Sequence, residues 1–411
     1  MILFFLTSGL FLGWSLGAND ASNVFGSAVG SKMVSFRKAA IIASIFVILG
    51  AVIQGAGGAQ TLGKLGAVNA IGGSFTLALA AGVTVYLMTK LSLPVSTTQA
   101  IVGAIIGWNL FTGNRTDPGT LTKIIATWIS GPVLGALFAI LLFMLVTMIR
   151  KKSKIHLIRF ESFIKTGLLI VGAFGAYSLG ANNIANVMGV FVPAFNLQPL
   201  DLGLFTLTSE QQLFLLGGIA IAAGIITYSK KVMETVGANI VDLSPDAAMV
   251  VVLAQSVVLF VFSSSVLSDA FVRIGLPSIP LVPVSSSQII VGCVIGIGLY
   301  KGIRNINFKL LGQIGLGWLA TPLIAGIMTY FSLFFIKNIF GIDVGHKVTG
   351  PATGTIPVPL SPDPEVSEMI RYILIGVIAL SIIAGVIYYI IDHRKQTELK
   401  ASEERFWKNM K

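Results

Sequence analysis

Four short polar segments interrupt an otherwise apolar chain, and they fall into two matched pairs. SLGAND (15–20) returns as SLGANN (178–183), and LPVSTTQA (93–100) returns as VPVSSSQI (282–289). The first pair is rich in oxygen ligands. Asp20 supplies a carboxylate, and Asn19, Asn23, Asn182, Asn183 and Asn186 supply amide oxygens. Gly17 and Gly180 permit local unwinding, which bares backbone carbonyls. Oxygen donors of these kinds suit a hard cation rather than a soft metal. A carboxylate inside an apolar run costs about 2.5–3.5 kcal/mol unless it is paired, so Asp20 is a functional candidate by position alone.

The second pair has the chemistry of an anion site. Pro94 and Pro283 end any helix that precedes them. Ser96 or Thr97 can then cap a helix that resumes at Ala100. The new N-terminus has backbone N–H groups without partners, and its dipole favours negative charge. The hydroxyls of Ser96, Thr97 and Thr98, and of Ser285, Ser286 and Ser287, complete two anion cradles. Blander readings compete. Serines and asparagines in apolar helices often bond their own turn or a neighbouring helix. For a single serine that reading is the better one; a duplicated Pro-x-hydroxyl-hydroxyl-hydroxyl-Gln reverses it.

One motif is a decoy. GWSLG (13–17) fits the nucleophile pattern of hydrolases, which requires a strand–turn–helix setting with His and acid partners. Here it lies in an apolar run, and His156, His346 and His393 lie between or beyond such runs. The chain is read as a non-enzyme. NRT (114–116) meets the weak glycosylation sequon.

The elements that position these motifs follow from composition. Of 411 residues, 55% are hydrophobic and 11% charged, and the mean hydropathy is +0.88. Soluble domains carry about 25% charged residues, so this is an all-α polytopic membrane protein in a lipid bilayer. Runs at 2–29, 39–59, 72–93, 121–149, 162–192, 209–228, 246–272, 310–340 and 370–391 approach or exceed the roughly 20 residues that cross a bilayer. Gly103/Gly107 and Gly292/Gly296 are small-residue pairs that let helices pack closely. The lone Cys293 rules out a disulfide framework. Residues 1–16 lack a basic leader region and read as a retained first helix.

The net charge of +11 collects in short loops: Lys32/Arg37/Lys38, Arg150–Arg159, Lys230/Lys231, Lys301/Arg304/Lys309 and His393–Lys395. This is the positive-inside pattern, not a nucleic-acid surface. With every basic loop on the cytoplasmic face, 72–120 must return to the outer face it left, and 246–300 to the inner face. Each does so as a re-entrant helical hairpin with its turn at a Pro-hydroxyl motif. The two copies then have opposite orientations. WISGPVLG (128–135) echoes loosely as WLATPLIA (318–325), which extends the repeat. Internal duplication of this kind marks secondary transporters.

The expected organisation is a first inverted repeat (1–150), a basic cytoplasmic connector (151–160) and a second inverted repeat (161–340). An external loop (341–367) and an extra C-terminal transmembrane helix with a basic tail (368–411) follow. The signature helices should be broken, and about 10–12 segments should enter the membrane. The protein belongs in a plasma (inner) membrane, N-terminus outside and C-terminal tail cytoplasmic.

GANDASN (17–23) and GANNIAN (180–186), with PVSTTQ (94–99) and PVSSSQ (283–288), resemble the duplicated motifs of the inorganic phosphate transporter family. The resemblance covers about residues 1–340. It implies an inverted-repeat homodimeric carrier that moves inorganic phosphate with Na⁺ or H⁺ and has no organic cofactor. It implies sodium ligands at Asp20, Asn23, Asn183 and Asn186, and phosphate ligands at Ser96, Thr97, Thr98, Ser285, Ser286 and Ser287. Gln99 and Gln288, beside those hydroxyls, are counted with the sodium set. The family usually has Asp at both signature positions, whereas the second copy here has Asn183. The reading is a Na⁺-coupled phosphate importer working by alternating access. The rivals are H⁺ coupling through Asp20, another tetrahedral anion such as sulfate, and a non-transporting receptor or channel.

Overall fold

The computed structural model describes residues 2–20, 22–30, 32–66, 68–91, 95–152, 157–203, 205–239, 244–302, 308–347, 368–373 and 375–376. The chain forms two compact units, Met1–Ser361 and Pro362–Lys411. In the second unit residues 368–373 and 375–376 are helical. Pro94, the centre of the basic connector (153–156), most of the external loop (348–367) and most of the C-terminal helix and tail (377–411) lie outside the described residues.

The first copy comprises α1 (Ile2–Asn19), α2 (Ser22–Gly30), α3 (Phe36–Gln54), α4 (Ala56–Leu65), α5 (Ile71–Lys90), α6 (Thr97–Thr112) and α7 (Pro118–Lys152). The second opens with α8 (Leu157–Met188) and a small antiparallel ribbon, β1 (Leu200–Asp201) with β2 (Thr206–Leu207). It continues with α9 (Ser209–Asn239), α10 (Pro245–Val261), α11 (Ser265–Arg273), α12 (Ser286–Lys301) and α13 (Phe308–Phe340). Six described helices are long and apolar enough to cross a membrane, or seven if α10 and α11, bent by 69°, form one span. The broken pair α1–α2 and the short arms α6 and α12 bring the total to the low end of the sequence expectation.

Local sequence explains the breaks. Ser96 caps α6 by accepting from Gln99 N–H, and Gly113 ends that helix at φ +71°. Ser285 caps α12 by accepting from Gln288 N–H. At 16 residues each, these arms are about 24 Å long, too short to cross a hydrocarbon core of about 30 Å. The 246–272 run, continuous and apolar in the sequence, bends because Ser264 caps a new helix by accepting from Leu267 N–H.

The two copies pack through each other. Helix α1 lies against α5 and α9, as α8 lies against α10 and α3; α6 packs on α13, as α12 packs on α7. Glycines permit the closest approaches. A Cβ at Gly103 would collide with the Pro322 carbonyl of α13, and one at Gly292 with the Pro132 carbonyl of α7. Outward sides of α7 and α13 expose Ile129, Leu137, Leu319, Leu323 and Phe331, apolar surface for a hydrocarbon environment.

Two ends of the molecule are fixed by polar contacts. Arg150 at the end of α7 pairs with Asp246 of α10 at 3.1 Å, and Lys301 of α12 donates to Ser244. These groups form a basic end. At the other end, Asn69 and Asn114 both donate to the His346 carbonyl, joining the loops before α5, after α6 and after α13. Helix α7 runs from one end to the other. Helices α6 and α12 therefore begin inside the molecule and finish at opposite ends.

Candidate functional site

The N-termini of α6 and α12 meet the two signatures in the interior. Asp20 is 1% exposed. Its carboxylate accepts from Thr97 of α6 at 2.9 Å and from Ser287 of α12 at 3.2 Å, one hydroxyl from each hairpin. Asn23 donates to Ser287 at 3.3 Å, and Ser287 also reaches the Val95 carbonyl at 2.8 Å. Asn19 donates to that same carbonyl.

The second signature mirrors much of this. Asn186 donates to Thr98 at 2.9 Å, and Thr98 reaches the Val284 carbonyl at 3.3 Å. Asn182 accepts from Val284 N–H and donates to the Val282 carbonyl. Thus Asp20, Asn23, Thr97 and Ser287 form one cluster, and Asn186, Asn183 and Thr98 form the other. Ser96 and Ser285 serve as helix caps, with their neighbours Gln99 and Gln288 supplying the capped N–H groups.

Both caps are half of a capping box. In the complete motif the third-position Gln side chain reaches back to the cap residue's N–H. Here the Oε1 atoms of Gln99 and Gln288 are buried without a partner, as are Ser286 Oγ and Asn186 Oδ1. Buried polar atoms are normally satisfied, so this group marks the place where a ligand would be received. Its members come from both copies, and they combine acceptor oxygens for a cation with a hydroxyl donor for an anion.

The second signature departs from expectation: α8 is not broken at its asparagines but runs unbroken to Met188. Its polar groups find partners within the helix. Asn183 donates to the Leu179 carbonyl four residues back, and Asn186 donates to Asn183 Oδ1. In the first signature α1 ends at Asn19, and Asn23 N–H bonds the Asp20 carbonyl across the break.

Sequence reasoning missed the carbonyls of Val95 and Val284, because backbone acceptors carry no side-chain signal. The Pro at each preceding position was the available clue, since proline breaks helices and leaves backbone groups near it without helical partners.

The chain is similar to known proteins over most of its length. The profile described as the phosphate transporter family matches residues 16–329. A protein of Thermococcus kodakarensis described as a candidate phosphate permease is 26% identical, covering 83% of this chain and 98% of its own length. One from Methanocaldococcus jannaschii, described likewise, is 27% identical, covering 79% of this chain and 94% of its own length. Among solved structures, one titled the sodium-dependent phosphate transporter is similar in fold, with a TM-score of 0.64 at 23% identity. That match covers 82% of this chain and 99% of the other.

Proposed function

The chain belongs to the phosphate transporter family, and from that premise we propose that it imports inorganic phosphate by Na⁺-coupled symport with alternating access. The observation that carries this reading is Asp20, a buried carboxylate held by one hydroxyl from each hairpin. None of the four motifs contains Lys or Arg. Neutralisation of Asp20 and of a phosphate beside it then falls to mobile cations. Moving a dianion into a negative-inside compartment costs about 2.3 kcal/mol per charge per 100 mV. Two accompanying Na⁺ would cancel that charge.

In this mechanism sodium is cargo, held by Asp20 and Asn23 with Asn183 and Asn186 as a second, neutral set. Gln99 and Gln288 offer their unpartnered oxygens beside them. Phosphate sits against the N-termini of α6 and α12, where Ser96, Thr97, Thr98, Ser285, Ser286 and Ser287 surround free N–H groups and favourable dipoles. Rocking of one copy against the other would open the site alternately to the 69/114/346 end and to the basic end. The same reading includes an inverted repeat, a homodimer, and an inner-membrane setting with the basic end cytoplasmic.

Radiolabelled phosphate uptake into proteoliposomes, with Na⁺ and pH gradients imposed separately, tests it. Uptake driven by an inward Na⁺ gradient at uniform pH is the expected result. Uptake that follows only the pH gradient would transfer the coupling role to a proton on Asp20.

A further inference from the structure

We infer that Gln255 of α10 is a relay ligand for the cation on its way from Asp20 to the basic end, an inference that rests on the symport reading above. Gln255 is 1% exposed, yet both its Oε1 and its Nε2 lack a partner. An entirely unpaired amide is costly in an apolar helix, and polar groups at membrane depth line pathways.

Helix geometry sets the direction of the side chain. Asp246 reaches α7 through Arg150, and Ser256 with Val252 faces Gly175 of α8. At about 100° per residue, Gln255 points directly away from the Asp246 side and is turned a quarter-circle from Ser256. The other helices packed on α10 are α2 and α12, so Gln255 faces them. Helix α2 carries Asn23 and follows directly on Asp20, and α12 carries Ser287 and Gln288.

Depth agrees with direction. The Lys301–Ser244 contact brings the end of α12 level with the start of α10. At about 1.5 Å per residue, Gln255 stands about 16 Å above that level and Gln288 about 20 Å. In depth, Gln255 therefore lies within about one turn of Gln288, on the side of the basic end. Its counterpart is apolar: Ser256 approaches α8 as Gly82 approaches Phe11 and Leu12 of α1, which matches Gln255 to Ala81. The free amide oxygen suits a hard cation, and the free N–H groups suit the water that rehydrates it.

The experiment compares net Na⁺-driven phosphate uptake with phosphate exchange at saturating sodium on both sides, where the cation site stays filled. Gln255→Leu should slow net uptake at least fivefold and leave exchange within twofold of wild type. Unchanged net uptake, or equal loss in both assays, would overturn the relay. In a second arm, Gln255→Cys in a Cys293→Ala background should react with a hydrophilic thiol reagent from the basic end only. Inertness from both sides overturns the relay even if the Leu variant fails to fold. Sodium-independent uptake by the wild-type protein would instead remove the symport reading, which separates the two failures.

Discussion

Asp20 and Asn183 occupy matching places in the two copies, yet the half-sites around them are built differently. In the first, Thr97 donates to Asp20 and the signature helix is broken. In the second, Asn183 turns into its own helix, α8 continues, and Ser286, the counterpart of Thr97, is left with an unpartnered hydroxyl. The rest of the scaffold is mirrored: Ser96 and Ser285 cap, Thr98 and Ser287 reach carbonyls across the interface, and Asn186 and Asn23 donate to those hydroxyls.

The cause is a single functional group. A carboxylate only accepts hydrogen bonds, and a helix interior offers side chains only carbonyl acceptors. Asp20 must therefore find its donors on other elements. An amide also donates, so Asn183 can be satisfied by the Leu179 carbonyl without leaving its helix. One copy holds a fixed charge and an open backbone; the other holds a neutral, closed helix and a spare donor. A cation and an anion would then be received unequally, the cation favouring Asp20 and the anion favouring Ser286.

The largest expected effect removes the charge that distinguishes the copies. Asp20→Asn keeps an oxygen in place but should weaken sodium binding on the order of 10–100-fold, the range for a hydrogen-bonded charge. Phosphate affinity should fall with it, because linkage between bound ligands is reciprocal. Raising external sodium should restore part of the uptake. Sodium dependence identical to wild type would make the two half-sites equivalent and break the comparison.

A control on the scaffold comes next. Gly103→Ala and Gly292→Ala each force a methyl into a carbonyl of the facing Pro-bearing helix. Overpacking of this kind costs about 1–3 kcal/mol. Thermal unfolding in detergent should show lowered midpoints of similar size for both. A loss confined to one variant would show that the asymmetry extends beyond the site.

Much of this was readable in the sequence. The repeated Pro-hydroxyl-Gln motif located both helix N-termini, since proline and a serine cap act locally. The small-residue pairs at 103/107 and 292/296 marked two close helix contacts, and the basic helix ends at Arg150 and Lys301 do gather at one end. Other features depended on which of several competing partners a polar side chain takes. The unbroken α8 turns on whether Asn183 finds a donor's acceptor in its own helix. The bend at Ser264 follows from a capping serine that hydropathy alone cannot separate from one bonded within its own helix, as Ser263 is. The orphaned Ser286 hydroxyl is visible only beside its mirror image, Thr97.

Those two hydroxyls respond differently to removal. Thr97→Ala deletes a donor to a buried carboxylate, so it should lower the thermal midpoint of the unliganded protein as well as sodium affinity. Ser286→Ala deletes an unpartnered group, so the unliganded midpoint should hold or rise. Phosphate binding should nonetheless weaken by about 1–3 kcal/mol, the cost of a donor that nothing else replaces at this depth. Equal thermal shifts for the two variants would erase the distinction between engaged and spare donors.

The smallest effect, and the one of opposite sign, comes from converting the second half-site into the first. Asn183→Asp replaces a donor-acceptor amide with an acceptor-only carboxylate, so the bond to Leu179 is lost. Ser286 then has the acceptor that Thr97 already finds in Asp20, and Asn186 can still donate to residue 183. Without sodium, the new charge is buried in an apolar helix and should destabilise the protein. With sodium, it should tighten or add a cation site, because binding to the folded state alone stabilises it by mass action. The variant's midpoint should therefore rise with sodium more steeply than that of wild type. Half-maximal uptake should need several-fold less sodium. Phosphate affinity at saturating sodium should change little or fall, since Ser286 would now be engaged with the carboxylate rather than the anion. If sodium moves the variant and wild-type midpoints by the same amount, residue 183 is not a cation ligand, and the difference between the copies is one of packing alone.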